Sequence, residues 1–370
     1  MSDTPSSNSP KPNDPDSGPP GAELSSGADR PHSADPRPKP RRRRRAFRFA
    51  LAFVAAAVAV FCIAAVGSYT AINHLESNVH RIPHVFTGLA AATRPIMPAA
   101  TNNSLTVLLT GTDTPPPHAS AAAKHHISGL VMLLHLNANK VSGAAVSIPP
   151  NAMVSVPGHG SMPIQSALVL GGPTLLIQTV EQLTDVRVDH YAVIDFPHVA
   201  KVIDALGGVD LQVPQTVSSL GYTFNAGLNH MDGKASLAYV RQPTKLSEQG
   251  RVQRQQALLR AVITKVGHQH LLSNPVTTFG VLNAFTQALS VDSNFTNTEL
   301  SNLASELSRL SANNGVYVTA PAQATGTYKG QPTVFLNTAQ SAPLWQAIRK
   351  DSVAAYAQQY PNAVTPAAPK

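Results

Sequence analysis

Apolar positions recur along the middle of this chain with two periods, and Gly, Pro and Asn clusters separate the stretches. Residues 105–110, 129–136 and 141–148 are β-rich apolar runs, the last two joined by Asn137-Ala138-Asn139-Lys140, which reads as a hairpin turn. Further strands are predicted at 188–194, ending in Asp195-Phe196, at 209–213, closed by Pro214, and at 315–320. Helical spacing marks 173–183, opened by Gly171-Gly172, and 199–206, stopped by Gly207-Gly208. It continues at 232–240 with Asp232 as cap, then at 251–267, 275–288, 297–311 and 341–350, while 215–231 reads as a loop or hairpin. Alternation of this kind predicts an α/β domain over residues 104–355, a mixed central sheet with helices on both faces.

The remainder has a different pattern. Residues 1–48 hold little large apolar surface, and ten prolines fall within the first 40, so this tail is expected to be disordered. From Phe49 to Ile72 about 24 residues are almost wholly apolar and carry no charge, enough to cross a hydrocarbon core of roughly 30 Å as a transmembrane helix. Arg41 to Arg45 and Arg48 precede the run, so the positive-inside rule predicts a single-pass protein with a cytoplasmic N-terminus and an extracytoplasmic main domain. A cleaved signal peptide is the competing reading, but the run exceeds the 7 to 15 residues of such a segment. Residues 73–103, with Pro83, Pro95 and Pro98, read as a stalk, and 356–370 as a flexible tail.

The net charge of +8 is unevenly spread: residues 1–48 hold 10 of the 28 basic and 6 of the 20 acidic side chains, leaving +4 for the rest. The arginine block is thus read as an orientation signal and a contact for anionic lipid, not for nucleic acid. The single cysteine, Cys62, falls inside the apolar run, so the exported part has no disulfide framework.

The candidate chemistry gathers at the start of the fifth predicted helix. Arg251 and Arg254, with Gln255 and Gln256 beside the second, lie three apart and therefore on one side. Cations at a helix N-terminus cost roughly 0.3–1 kcal/mol each unless an anion sits between them. Guanidinium forks match phosphate oxygens, and Arg241, at the end of the preceding helix, offers a third.

The motif order resembles that of the LytR-CpsA-Psr family of bacterial envelope proteins. The resemblance rests on Leu108-Leu109-Thr110-Gly111-Thr112-Asp113, Ser147-Ile148-Pro149, Gly171-Gly172-Pro173, Asp189-His190-Tyr191 and Asp195-Phe196. It continues through Leu206-Gly207-Gly208-Val209-Asp210, Met231-Asp232-Gly233-Lys234-Ala235, Tyr239-Val240-Arg241 and Gly250-Arg251 with Arg254-Gln255-Gln256. It implies a phosphotransferase that moves an anionic glycopolymer from a polyprenyl-pyrophosphate carrier to peptidoglycan through a phosphodiester, usually with Mg²⁺. It further implies Asp113 and Arg241 as catalytic residues, Asp113 as the metal carboxylate, and Arg241, Arg251, Arg254 and Gln255 as pyrophosphate ligands. Leu168, Leu170, Leu175 and Leu176 are candidates for the lipid tunnel of such a domain, against the alternative that they are ordinary core.

Several positions depart from the family pattern. A carboxylate expected before the second strand is replaced in Ile127-Ser128-Gly129-Leu130, an Arg-Asp pair by Pro150-Asn151, a Lys-Ile-Asn stretch by Pro163-Ile164-Gln165, and an arginine by Pro243. The alternative expectation is therefore a catalytically degenerate relative that binds polyprenyl (pyro)phosphate or an active partner without turnover; a signalling protein read through its basic tail is a third. His118, His125 and His126 lack a companion carboxylate or cysteine at ligand spacing, and His159 lies in a Gly-rich turn. Asp189 and His190 are neighbours at the start of a strand and point to opposite faces, which favours structural roles. Neither a Gly-x-Ser-x-Gly elbow nor a Walker-type loop is present, which argues against a serine hydrolase or an ATPase.

Overall fold

A computed structural model describes residues 77–112, 127–242, 248–268, 275–300, 302–303 and 315–364. The tail, the apolar run 49–72, Asp113, the three clustered histidines and Pro243 lie outside these residues. Among the described residues no helix is long and apolar enough to cross a membrane.

In chain order the strands are β1 (His80–Ile82), β2 (Leu105–Thr112), β3 (Ile127–Leu136), β4 (Gly143–Ser147), β5 (Ala152–Val156), β6 (Gly160–Pro163), β7 (His190–Asp195) and β8 (Val209–Val213). There follow β9 (Val217–Ser219), β10 (Tyr222–Phe224), β11 (Gly227–Met231), β12 (Leu289–Asp292), β13 (Gly315–Thr319), β14 (Ala322–Tyr328) and β15 (Gln331–Leu336). The main helices are α1 (Gln165–Thr184), α2 (Phe196–Ala205), α3 (Gly233–Val240), α4 (Glu248–His268), α5 (Pro275–Ala288), α6 (Thr338–Arg349) and α7 (Val353–Gln359).

Seven of these strands form the central sheet in the order β1-β12-β7-β2-β3-β4-β13. β2 runs antiparallel to β3 and parallel to β7, with Val107 opposite Leu134 and His190. β13 pairs parallel with β4 at the far edge. Because strand residues alternate, Leu108, Val131, Leu133 and Val146 enter one core with α1, α6 and α7. Val107, Leu109, Leu130 and Met132 enter the other with α2, α3 and α4. Both faces are covered, so the central strands read as continuous apolar runs, and the mixed α/β architecture is the one the sequence predicts.

The structure adds to that prediction. The stretch read as a stalk carries β1, which pairs in parallel with β12, and Val79 and Val85 are buried. The C-terminus is packed to residue 364: Tyr356 is buried in the first core, and Val364 bridges Val318. α1 starts eight residues before the predicted Pro173; Gly171 and Gly172 interrupt it, Gly172 at φ +64°, a conformation that suits glycine. A second sheet, β14-β15-β5-β6, lies outside the predicted strands; β5 alternates between buried and less buried positions, whereas β14 is mostly exposed.

Candidate functional site

Two helices in sequence carry the arginines, and each is fixed from below. The Asp232 carboxylate caps α3 by accepting from the Ala235 N–H at 2.7 Å, and Asp204 Oδ1 accepts from the Gly233 N–H at 2.8 Å. Gly233 has no Cβ because one would run into the carbonyl of Ala200 on α2. α3 thus ends at a set place, where Arg241 is its exposed C-cap and Gln242 beside it is 6% exposed. The Gln242 amide nitrogen, Nε2, is buried with no hydrogen-bond partner.

α4 begins at Glu248, three residues before Arg251, so Arg251 stands at the end of the first turn and Arg254 in the second. The helix dipole fades within that first turn, so the end-charge argument applies to Arg251 and not to Arg254. Burial governs Arg254: it is 5% exposed, beside Gln255 at 9% and Gln256 at 1%. The last anchors the helix, its Nε2 donating to Ser147 Oγ at 2.6 Å on β4 and to the Val318 carbonyl at 3.0 Å on β13. A guanidinium held this deep needs negative or lone-pair partners around it. The Arg254 charge acts on Tyr239 of α3, whose phenol is pushed up by burial and pulled the other way by Arg254.

Arg251 reaches the sheet. Gly129, on β3 at φ +67°, lies so near that a Cβ there would overlap the Arg251 guanidinium. This stretch of β3 faces the irregular step in its pairing with β2 between Thr110 and Thr112. On the other side of β2, Thr112 pairs with Asp195, whose carboxylate meets His198 Nδ1 at 2.5 Å. Arg251 of α4 therefore meets β3 beside the end of β2, after which Asp113 follows in the sequence. The sequence missed Gln242, the Arg254–Tyr239 coupling and the Gly129–Arg251 approach; the only available signal was the glycine itself, in a strand interior where glycine marks a close approach.

Position 129 bears on Mg²⁺. It offers no carboxylate, and a guanidinium stands where its side chain would be, so the described part of the site does not fit a cation held by two carboxylates. Among the described residues no group of three or more His, Cys, Asp or Glu side chains could hold a metal.

The leucines divide. Leu176 is fully buried in the core, Leu168 and Leu175 pack at its edge, and Leu170 is 50% exposed at the α1 break. His159 is exposed in a turn. Asp189 accepts from the Thr106 N–H at 2.8 Å, and His190 meets Asp292 at 3.1 Å and stacks on Phe295, so this pair serves the strand register. A cleft of about 650 Å³ lined by Arg94, Ile96, Gln178, Glu181 and Arg349 includes none of the arginine-site residues. Two of its lining residues form the Arg94–Glu181 ion pair, 2.6 Å, which ties Arg94 to α1 as a structural link.

The fold is an α/β sandwich with Arg251 against β3 and Arg254 buried on the same helix, and comparison places this chain within one family. The LytR_cpsA_psr family model matches residues 72–350, and the chain belongs to that family. It is 36% identical over 156 residues to a probable cell wall biosynthesis protein, LcpB, of Corynebacterium glutamicum, covering 41% of this chain and 37% of that one. It is 30% identical over 171 residues to the polyisoprenyl-teichoic acid–peptidoglycan teichoic acid transferase TagT of Bacillus subtilis, covering 44% and 53%. The chain thus spans about half or less of the length of these curated relatives. The crystal structure of B. subtilis TagV shares the fold, with a TM-score of 0.57 at 19% identity over 68% of this chain and 98% of that one.

Proposed function

We propose that this protein is a membrane-anchored, extracytoplasmic transferase that moves an anionic glycopolymer from a polyprenyl-pyrophosphate carrier to peptidoglycan. The observation that carries the reading is the pair of arginines on α4, Arg251 set against Gly129 of β3 and Arg254 buried, with its charge acting on Tyr239. Family membership and the transferase names of the relatives support it. In the step proposed, an acceptor hydroxyl attacks the glycopolymer-bearing phosphorus. The bond from that phosphorus to the carrier phosphate oxygen breaks, and polyprenyl phosphate leaves with the electron pair. Arg241, Arg251, Arg254 and Gln255 hold the phosphate oxygens and offset the developing charge. The hydroxyl proton passes to a base, for which the motif match nominates Asp113. The apolar run 49–72 supplies the anchor. No step is assigned to Mg²⁺, since position 129 disfavours it.

A second reading, carrier binding without turnover, is favoured by the same Gly129–Arg251 contact, which replaces a carboxylate with a cation. One experiment separates them. The full chain in detergent is incubated with a polyprenyl-pyrophosphate-linked sugar and an acceptor, and phosphate-bond cleavage is followed beside Arg254→Ala. Cleavage lost in the variant supports transfer. An intact substrate that co-elutes with the wild type alone supports binding without turnover, and no interaction with either protein removes both readings.

A further inference from the structure

The cleft of about 650 Å³ that the 88–96 segment lines together with α1 and Arg349 is of a size that takes a small molecule or a few units of a polymer. Arg94 fixes its place in the fold. The guanidinium Nε lies 3.1 Å from both carboxylate oxygens of Glu181, and Nη2 donates to the Val188 carbonyl, just before β7 begins. β7 then runs six residues, roughly 20 Å, to Asp195, which pairs with Thr112 at the end of β2. Gly129 and Arg251 meet beside that same end, so the cleft and the arginine site lie toward opposite ends of β7.

The charges of the cleft narrow what it can take. Arg94 is paired with Glu181 and Arg349 with Asp185, so two cations and two anions cancel. A phosphate or a basic peptide finds no net attraction there. What remains is neutral. The amides of Gln178 and Gln182 are exposed one turn apart on the same side of α1, and Pro95 and Ile96 supply an apolar edge, Ile96 being 85% exposed. A primary amide donates and accepts at once, which matches the hydroxyl and acetamido groups of a sugar, and the C–H face of a sugar ring covers an aliphatic side chain.

We propose that this cleft is a glycan subsite that takes a neutral stretch of an N-acetylated amino-sugar chain. Gln178 and Gln182 bond its hydroxyl and acetamido groups, and Ile96 lies under a ring. Identifying that chain with the peptidoglycan acceptor rests on the transfer reading above; the chemistry of the ligand does not. One sugar cannot span the roughly 20 Å of β7, but a polymer can engage both ends, so the cleft holds the acceptor strand and raises its local concentration at the arginines.

The full chain in detergent is titrated by calorimetry with chitotetraose, a soluble neutral chain of N-acetylated amino sugars. The double variant Gln178→Ala/Gln182→Ala and Ile96→Asp are measured beside it. All three side chains are exposed, and near-ultraviolet circular dichroism identical to the wild type's checks that the variants keep the fold. The expected result is binding by the wild type that persists in saturating inorganic pyrophosphate and weakens in Ile96→Asp. In the double variant it falls about tenfold, the worth of two amide hydrogen bonds. Absence of binding, equal affinity in all three proteins, or displacement by pyrophosphate overturns the proposal. So does tighter binding of trialanine, a zwitterionic peptide that paired charges would suit. These outcomes do not depend on turnover: a chain that holds chitotetraose at the cleft and cleaves no carrier phosphate loses the transfer reading and keeps the glycan subsite.

Discussion

The guanidinium of Arg251 occupies the space into which any side chain at position 129 would grow, so residue 129 decides where that charge is held. With glycine, the arginine lies against the backbone of β3. A carboxylate there would capture the guanidinium or bind a cation.

Gly129→Asp tests this directly. Aspartate tolerates the left-handed region better than most residues, and the cost of φ +67° is of the order of 1–2 kcal/mol. The flexible arginine would be pushed aside and paired. Affinity for inorganic pyrophosphate, measured by calorimetry without divalent metal, is expected to fall about tenfold, the equivalent of 1.4 kcal/mol. Added Mg²⁺ should restore binding in the variant and do little for the wild type. An unchanged affinity would show that Arg251 does not act on the anion.

Gly233→Ala concerns stability. The added methyl would run into the Ala200 carbonyl, which is backbone and cannot move cheaply. Overpacking of this kind costs about 1–3 kcal/mol or more, so the urea midpoint should fall clearly. Phosphate affinity should fall too, because α3 delivers Arg241 and Tyr239; a midpoint equal to the wild type's would mean that α2 and α3 are not locked here.

Gln256→Leu removes the two bonds from α4 to β4 and β13 and leaves the buried Val318 carbonyl without that donor. The expected loss is about 1–3 kcal/mol in equilibrium unfolding. A stable variant with wild-type phosphate affinity would show that these bonds do not position the arginines.

Acid should weaken the domain through His135. Burial pushes this imidazole below its ordinary value of 6.5, although Asp351 acts in the opposite direction. It is therefore held neutral, with the Thr106 hydroxyl donating to Nδ1 at 2.9 Å and Nε2 donating to Asp351 at 2.8 Å. The unfolded chain takes up a proton near 6.5 and the folded chain only at lower pH, so stability is full above 6.5 and declines as pH falls through it. Chemical denaturation of the wild type from pH 8 downward should show this slope, and His135→Gln should lose it; identical slopes would assign the effect elsewhere.

What the sequence revealed followed the reach of each signal. Asp232 announces α3 because a cap and its helix are neighbours, and Arg251 with Arg254 announce two charges on one side of a helix because three-residue spacing is local. The seven-strand order and the meeting of Gly129 with Arg251 join residues far apart in the chain, and no local period encodes them. β14 was missed because Ala322–Tyr328 is mostly exposed and has little apolar alternation to detect. β1 was missed because Pro83 reads as a breaker, yet it follows Ile82 at the end of an edge strand, where proline costs no ladder bond.

The bond from Gln256 to the Val318 carbonyl has a temporal side. β13 is the last strand to join the central sheet in chain order, so a growing polypeptide carries all four candidate phosphate ligands well before it holds the strand that seats them. The Gln256–Val318 bond forms only when residues 315–319 dock on β4, and a chain cut short before Gly315 has the arginines without that bond.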